Sequence, residues 1–289
     1  MRILVTGWFS FLHGEATAGD LLALDAVLAA LPKPYDVAWS PVLRPGGPSL
    51  DDCPPERYTH LVFVCGPLHG PQITELHKRY AACRRLAIGV SVLDPADPAV
   101  AGFDRVLARD GDGSEVADLA TAVAPGSLPV AGVVLTKGQG EYGERRRHEE
   151  VASAITSWLT GRECALVPLD TRLDPRDWRA GTDQRAFGSI VRRLDLVVST
   201  RLHGLVLALR CGVPALAVDP VAGGGKVTAQ ARVLGWPAVV PAAGVLASPG
   251  SLAAWWEWCL SSEGRAAAGR LAVMPPNPLL SELAAALRE

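Results

Sequence analysis

Short, continuous apolar runs alternate with longer segments of helical spacing along the whole chain. RILVTGW (residues 2–8), YDVAWS (35–40), HLVFVCG (60–66), LAIGVSV (86–92) and RVLARD (105–110) read as strands. Between them, AGDLLALDAVLAAL (18–31) and PQITELHKRYAACRR (71–85) have the three-and-four apolar spacing of helices, and SEVADLATAV (114–123) predicts a shorter one. Composition then shifts to small residues and proline at APGSLP (124–129), and a second cycle begins. Its strands are VAGVVLT (130–136), CALVPLD (164–170), DLVVST (195–200), PALAVD (214–219) and PAVV (237–240). Its helices fall over 145–161, 182–194, 202–212 and 228–235. No Asn-Gly turn joins two strands. Strands that are apolar throughout and separated by helical crossovers form parallel sheets covered on both faces. The pattern therefore predicts two doubly wound α/β domains, 1–128 and 129–250, with a helical tail over 251–289 that packs back on the first domain. No internal sequence repeat is visible.

Ligands of such sheets bind beyond the carboxyl ends of the strands, and two facing sheets put the site in the cleft between them. Residues just after strands are therefore the candidates. The strongest lie in DLVVSTRLHGLVLALRCGVPALAVDP (195–220), an apolar segment broken by Arg201 and His203. Both fall where a strand ends and a helix begins. Free N–H groups and the helix dipole already favour an anion there. A guanidinium completes a pocket for carboxylate or phosphate, and a histidine beside it can donate a proton. Gly204 would let the backbone approach a ligand. The plainer alternative pairs Arg201 with Asp195 and leaves His203 as a helix cap. Two polar groups in so apolar a segment are costly to bury without a task, which favours the functional reading.

Charge and composition narrow the field. The net charge is −2, so no global field attracts nucleic acid, and any anion site is local. No apolar run is long enough to span a bilayer. The N-terminal run is interrupted by Gly7, Ser10 and His13 and reads as a strand and loop, not a signal peptide. The six cysteines are scattered, with no metal-ligand spacing, so a reducing, cytoplasmic setting is expected and no metal site is.

The segment around Arg201-x-His203, with Gly212, Pro214 and Lys226 following, closely resembles the polysaccharide pyruvyl transferase family. Other segments fit in order: the first loop ending in Gly19-Asp20, the glycine turn after HLVFVC, and Arg109-Asp110 with Ser114 beyond. The first loop lacks the family's asparagine, the turn has one glycine where two or three are usual, and Ser114 comes one residue late. The resemblance implies two Rossmann-like domains facing a cleft in the arrangement called GT-B. It also implies phosphoenolpyruvate as co-substrate, with no cofactor, and a ketal formed on hydroxyls of a sugar-like acceptor. Arg201 would hold an anionic group, His203 would act as general acid, and Arg109 would be a second anion contact.

The remaining candidates each carry a plainer alternative. Lys226, after three glycines, reads as a loop cation over the donor or as a solvated lysine. Arg109 would otherwise be a surface partner of Asp110. His13, Asp20 and His69 are placed on the acceptor side, where Asp20 could instead only cap its helix. Asp170, in the polar loop with Arg172 and Asp174, is placed there as one candidate base. GQGEYG (138–143) has the form of a dinucleotide fingerprint, but the charged helix start that follows reads better as a mobile loop at the cleft mouth. His60, His77 and His148 read as surface residues, and Trp255, Trp256 and Trp258 as core or interface. Three readings compete with pyruvyl transfer: a nucleotide-sugar glycosyltransferase, a dinucleotide enzyme and a non-catalytic binding protein on the same fold. Expected partners are a small-molecule donor and a sugar-like acceptor, without nucleic acid; self-association is left open.

Overall fold

The apolar runs fold into two five-stranded parallel sheets in the computed structural model, which describes residues 1–136, 140–176 and 183–288. The chain divides into two units, Met1–Gly126 and Ser127–Glu289. The first contains β1 (Ile3–Gly7), α1 (Ala18–Ala30), β2 (Tyr35–Val37), β3 (His60–Val64), α2 (Pro71–Arg79), β4 (Arg84–Ser91), α3 (Pro98–Ala101) and β5 (Arg105–Asp110). The second begins with β6 (Val130–Val134), α4 (His148–Thr160), β7 (Ala165–Leu169), α5 (Gln184–Val191), β8 (Leu196–Ser199) and α6 (Leu202–Arg210). It continues with β9 (Ala215–Asp219), α7 (Lys226–Val233), β10 (Val239–Pro241), α8 (Ala242–Ala247), α9 (Ala253–Leu260), α10 (Ser262–Ala272) and α11 (Pro278–Ala286).

The sheets run β2-β1-β3-β4-β5 and β10-β9-β8-β6-β7. Counted from each unit's own first strand, both orders are 2-1-3-4-5, a common doubly wound order. The chain thus repeats a topology without repeating a sequence. Continuous apolar strands produce this because every residue of a central strand is covered. All five residues of β1 and of β9 are buried, as are all four of β8. Leu4, Leu61 and Phe63 anchor one face of the first sheet, while Leu196, Val198, Leu205 and Ile155 pack in the second core. Each such side chain contributes about 1.5–3 kcal/mol on burial.

Several expectations change. The helix expected over 71–85 stops at Arg79, and Arg84 and Arg85 begin β4. SEVADLATAV makes only a single 3-10 turn, Leu119–Ala122, opened by the Asp118 carboxylate accepting from Ala120 N–H. The tail joins the second unit: α9 packs on β9, α10 packs on α6, and Trp256, Cys259 and Ala268 sit in that unit's core. Trp255 and Trp258 pack edge to face, as do Trp158 and Trp256, so the tryptophans are packing residues. His77 is buried against Phe103 with Nε2 on the Ala99 carbonyl, and His148 is buried too, against the surface reading of both. Among the described residues no helix is long and apolar enough to cross a membrane.

Candidate functional site

Each sheet grows first in one direction and then in the other, and the reversal falls between the unit's first and third strands. There the connections leave in opposite directions, opening a crevice beyond the strand ends. In the second unit the reversal lies between β6 and β8, and Arg201 lies two residues past the end of β8.

The Arg201 peptide is fixed by one hydroxyl. Ser199 Oγ accepts from Arg201 N–H at 2.9 Å and donates to the Arg201 carbonyl at 3.0 Å. This turn makes Arg201 the residue that opens α6, whose first N–H groups receive no side-chain cap from it. The guanidinium reaches toward the β7 end, where Nη1 donates to Thr171 Oγ1 at 2.9 Å and lies 3.4 Å from Asp170. Arg201 is 23% exposed, and its buried Nε has no partner among the described residues. Asp195 is engaged elsewhere, accepting from Val130 N–H, so the Arg201–Asp195 pairing does not form.

Asp170 therefore stands beside Arg201 in the second unit. Its carboxylate is gripped by Arg172 Nε and Nη2 at 2.8 and 2.6 Å. Burial opposes its ionisation, but those bonds and the charges of Arg201 and Arg172 prevail, and its carboxyl sits below the usual range. A carboxylate held so acidic is a poor base. It partly balances Arg201 while spending its shorter contacts on Arg172.

His203 lies in the first turn of α6, exposed, with its ring hydrogen-bonded to nothing among the described residues. Gly204 is buried, and its role differs from the expected one. A Cβ there would lie 2.1 Å from Ser199 Oγ and 3.2 Å from Val134, so glycine serves the approach of α6 to the sheet, not of a ligand to the backbone. Gly204→Ala is expected to destabilise the chain by about 1–3 kcal/mol through overpacking. It displaces the same hydroxyl that brackets Arg201. Urea unfolding checks the loss, and an unchanged midpoint contradicts this packing role.

Lys226 opens α7 behind the three glycines, but the loop is not an open anion cradle. The buried Asp219 carboxylate already fills it, accepting from the N–H groups of Val221, Gly225 and Thr228 at 3.1, 2.7 and 2.8 Å. Lys226 Nζ lies 3.7 Å from Glu141 and over the Tyr142 ring. The segment around Tyr142 is tied to this loop, since Arg147 N–H donates to Pro220 and Ala222 N–H to Arg145. Gly138 lies outside the described residues; Gly140 and Gly143 fall in a 3-10 stretch, and α4 opens only at His148. A dinucleotide fingerprint needs its helix to start at the glycines, so GQGEYG does not act as one.

His148 stacks near Tyr142, and neither ring nitrogen has a partner among the described residues. Burial, then the charge of Arg146, pulls its pKa below the ordinary 6.5, and burial does the same at His77. Both rings are thus folded in the neutral form. As pH falls below about 6.5 the unfolded chain takes up protons that the folded chain resists. Stability drops by at most about 1.4 kcal/mol per pH unit for each ring until the folded-state pKa is passed. Thermal unfolding at pH 7.5 and 5.5 should show this decline, with a shallower slope for His148→Leu. Equal slopes would remove His148 from the account.

In the first unit a cavity of about 530 Å³ opens at the β1/β3 reversal. Trp8, His13 and Glu15 enter it from the loop after β1, and Asp20 from the start of α1. Asp20 also caps that helix, accepting from Thr17 N–H and Oγ1, both at 2.8 Å. Cys65 follows β3 with φ +64, a left-handed conformation costing a non-glycine residue about 1–2 kcal/mol. Such strain at a strand end marks a backbone shaped for more than packing. Gly66 (φ +76) is required beside it, because a Cβ would lie 2.2 Å from the Trp8 indole. Burial, reinforced by the charges of Asp118 and Asp20, pushes the Cys65 thiol up to about 11.

Arg109 lines this first-unit cavity together with His13 and Asp20. Its guanidinium is bound by Asp118, by Asp110 at 2.8 Å and by Ser91 Oγ at 2.6 Å. Two carboxylates thus already engage the guanidinium that the sequence assigns to the donor. His69 is not among the cavity's lining residues. Its ring, 69% exposed, pairs with Asp97 at 2.5 Å. The structure therefore joins His13, Asp20 and Arg109 in one unit and Arg201, His203 and Asp170 in the other.

Trp8, Glu15, Asp118 and Thr171 went unnoticed in the sequence. Trp8 follows β1 directly and Thr171 lies two residues past β7, a signal available in the sequence. Asp118 lay inside an expected helix and gave none. Among the described residues no three His, Cys, Asp or Glu side chains converge as a metal site would require.

Two five-stranded parallel sheets with flanking helices define a Rossmann-like α/β class. Within it, residues 183–220, from the start of α5 through β9, match the profile of a family of carbohydrate-acting transferases, Polysaccharide pyruvyl transferase. No curated protein matches the chain. Among solved structures it is similar to spinosyn rhamnosyltransferase SpnG, with 12% identity over all of both chains and a TM-score of 0.40. It is also similar to the glycosyltransferase SnogD from Streptomyces nogalater (14% identity, 100% of this chain and 99% of that one, TM-score 0.32). A third is UDP-GlcNAc 2-epimerase from Methanocaldococcus jannaschii (8%, 98% and 100%, TM-score 0.33). At these scores the likenesses add nothing to the fold seen in the sheets.

Proposed function

We propose that the chain is a pyruvyl transferase that moves the enolpyruvyl-derived group of phosphoenolpyruvate onto hydroxyls of a sugar-like acceptor. The observation that carries this is Arg201 at the β6/β8 reversal, with its Nε unpartnered among the described residues, at the uncapped start of α6 and within the stretch that matches the family. Phosphoenolpyruvate has a carboxylate and a phosphate, and a guanidinium at a helix N-terminus suits either. The donor is assigned to the second unit and the acceptor to the first unit's cavity.

His203 donates a proton to the methylene carbon of the enol, which becomes a methyl group. The developing positive charge at C2 is taken by an acceptor hydroxyl, which loses its proton as the C–O bond forms. Phosphate leaves with the C2–O electron pair, a second hydroxyl attacks, and a ketal results. Two hydroxyl protons are lost. One replaces the proton given by His203, and the other leaves with inorganic phosphate. The scheme needs no redox partner.

The test is incubation with isotopically labelled phosphoenolpyruvate and a panel of sugars and host extract. The expected product gains the mass of pyruvate less water and releases phosphate. Thermal shifts with phosphoenolpyruvate, UDP-sugars and NAD separate the rivals, since a ligand stabilises the state it binds. Stabilisation by a UDP-sugar or NAD but not by phosphoenolpyruvate rejects this reading.

A further inference from the structure

We propose that the acceptor is a glycoside-like small molecule with an apolar appendage, lying across Arg109. Its hydroxylated part would occupy the 530 Å³ cavity and its appendage a neighbouring apolar hollow. The inference rests on the acceptor assignment above and names the class of molecule accepted there.

The hollow, about 370 Å³, lies along β5; its walls are mostly apolar, with Ile88, Val106, Leu107, Val116 and Leu119, and Asp112 and Ser114 also line it. Arg109 lines both spaces. The chain over 117–119 divides them one residue at a time: Ala117 and Leu119 line the hollow, and Asp118 lines the cavity. Arg109 suits a shared wall, because its head is tied by Asp110, Asp118 and Ser91, leaving the aliphatic stem as an apolar surface.

The hollow is built into the sheet. The β4–β5 register shifts between Ile88 and Val90, at Gly89. Gly89 has φ +67, and a Cβ there would lie 2.5 Å from Leu119, so the glycine makes room for the apolar lining. Leu107 and Val116 nevertheless remain 42% and 63% exposed. Covering them with an apolar group recovers free energy in proportion to the area buried.

The polar cavity constrains the other end of the ligand. Glu15 and Asp20 contribute carboxylates, and the Arg109 head is already satisfied, so the cavity suits hydroxyls better than a phosphate. A neutral glycoside with an apolar group fits both spaces; a lipid phosphate does not.

The test titrates the full-length chain calorimetrically with methyl, hexyl and octyl β-glucoside below their micelle concentrations. Affinity is expected to rise by roughly a hundredfold or more from methyl to octyl, since each buried methylene is worth about fourfold. Leu107→Asp should flatten the series. Val116→Asp, in an exposed loop, should do the same and guards against a folding defect in the first variant. Leu280→Asp, on the exposed face of α11, should leave the series steep. Equal affinities across the series, or a series flattened by Leu280→Asp but not by the other two, overturn the proposal. Phosphoenolpyruvate titrated into the same samples separates the two readings. A flat glucoside series with phosphoenolpyruvate bound rejects only the appendage. A steep series without phosphoenolpyruvate binding rejects pyruvyl transfer.

Discussion

His203→Gln is expected to fold normally and to lose transfer by about 10²–10⁴-fold, the usual weight of a general acid. The side chain is exposed and holds no other part of the structure, so its replacement should change stability by no more than about 0.5 kcal/mol. Glutamine keeps size and polarity but cannot deliver a proton to carbon. Phosphoenolpyruvate should therefore still bind while turnover falls, and kcat should carry the loss, not KM. The informative comparison is calorimetric affinity beside single-turnover rate. A variant that transfers at the native rate removes His203 from the chemistry, and one that neither binds nor unfolds normally makes it a structural residue. A non-catalytic binding protein would show donor binding and no turnover in either form.

Arg201→Ala should act on binding instead. Charge-assisted bonds from a guanidinium to a carboxylate or phosphate account for about 2–4 kcal/mol, so donor affinity should fall by roughly 30-fold to 1,000-fold. Arg201→Lys should recover little of this. An ammonium cannot both reach Thr171 and present a planar fork to the ligand. Thr171→Val offers a milder version, since it removes the 2.9 Å contact that aims the guanidinium while leaving the charge. KM for phosphoenolpyruvate measured across the three variants decides the matter. If all three bind the donor like the native chain, the anion site is elsewhere.

The first unit behaves differently toward charge. Cys65 is forced upward by burial and by neighbouring carboxylates, and Arg109 is consumed by Asp118 and Asp110. Arg201 has only a 3.4 Å approach to an aspartate that Arg172 already holds. Two strand ends of the same topology thus carry different charge, which is what the proposed division of donor and acceptor between the units requires.

Much of this was legible along the chain. The alternation of continuous apolar runs and amphipathic segments required parallel strands with helical crossovers, because only that arrangement buries β1, β8 and β9 on both faces. The break at Arg201 and His203 was visible because charge is conspicuous in an apolar segment. What each polar residue touches was not. Asp170 and Arg201 are 31 positions apart and meet only because β7 and β8 flank β6. Asp219 ends a strand with nothing in the sequence to show its task, and only the folded loop shows its carboxylate accepting from Gly225 and Thr228 N–H beside Lys226. Gly204 read as a place for a ligand until the packing of α6 on Ser199 explained it.

Local pattern settles which faces are buried, because period and apolarity act over a few neighbouring residues. It therefore determined the strands, the crossovers and the positions of Arg201 and His203 at a strand end. Hydrogen bonds and ion pairs act over about 3 Å across long sequence separations. Only the tertiary structure decided that Arg109 is held by two carboxylates, that His69 faces Asp97, and that the guanidinium of Arg201 keeps a donor unpaired among the described residues.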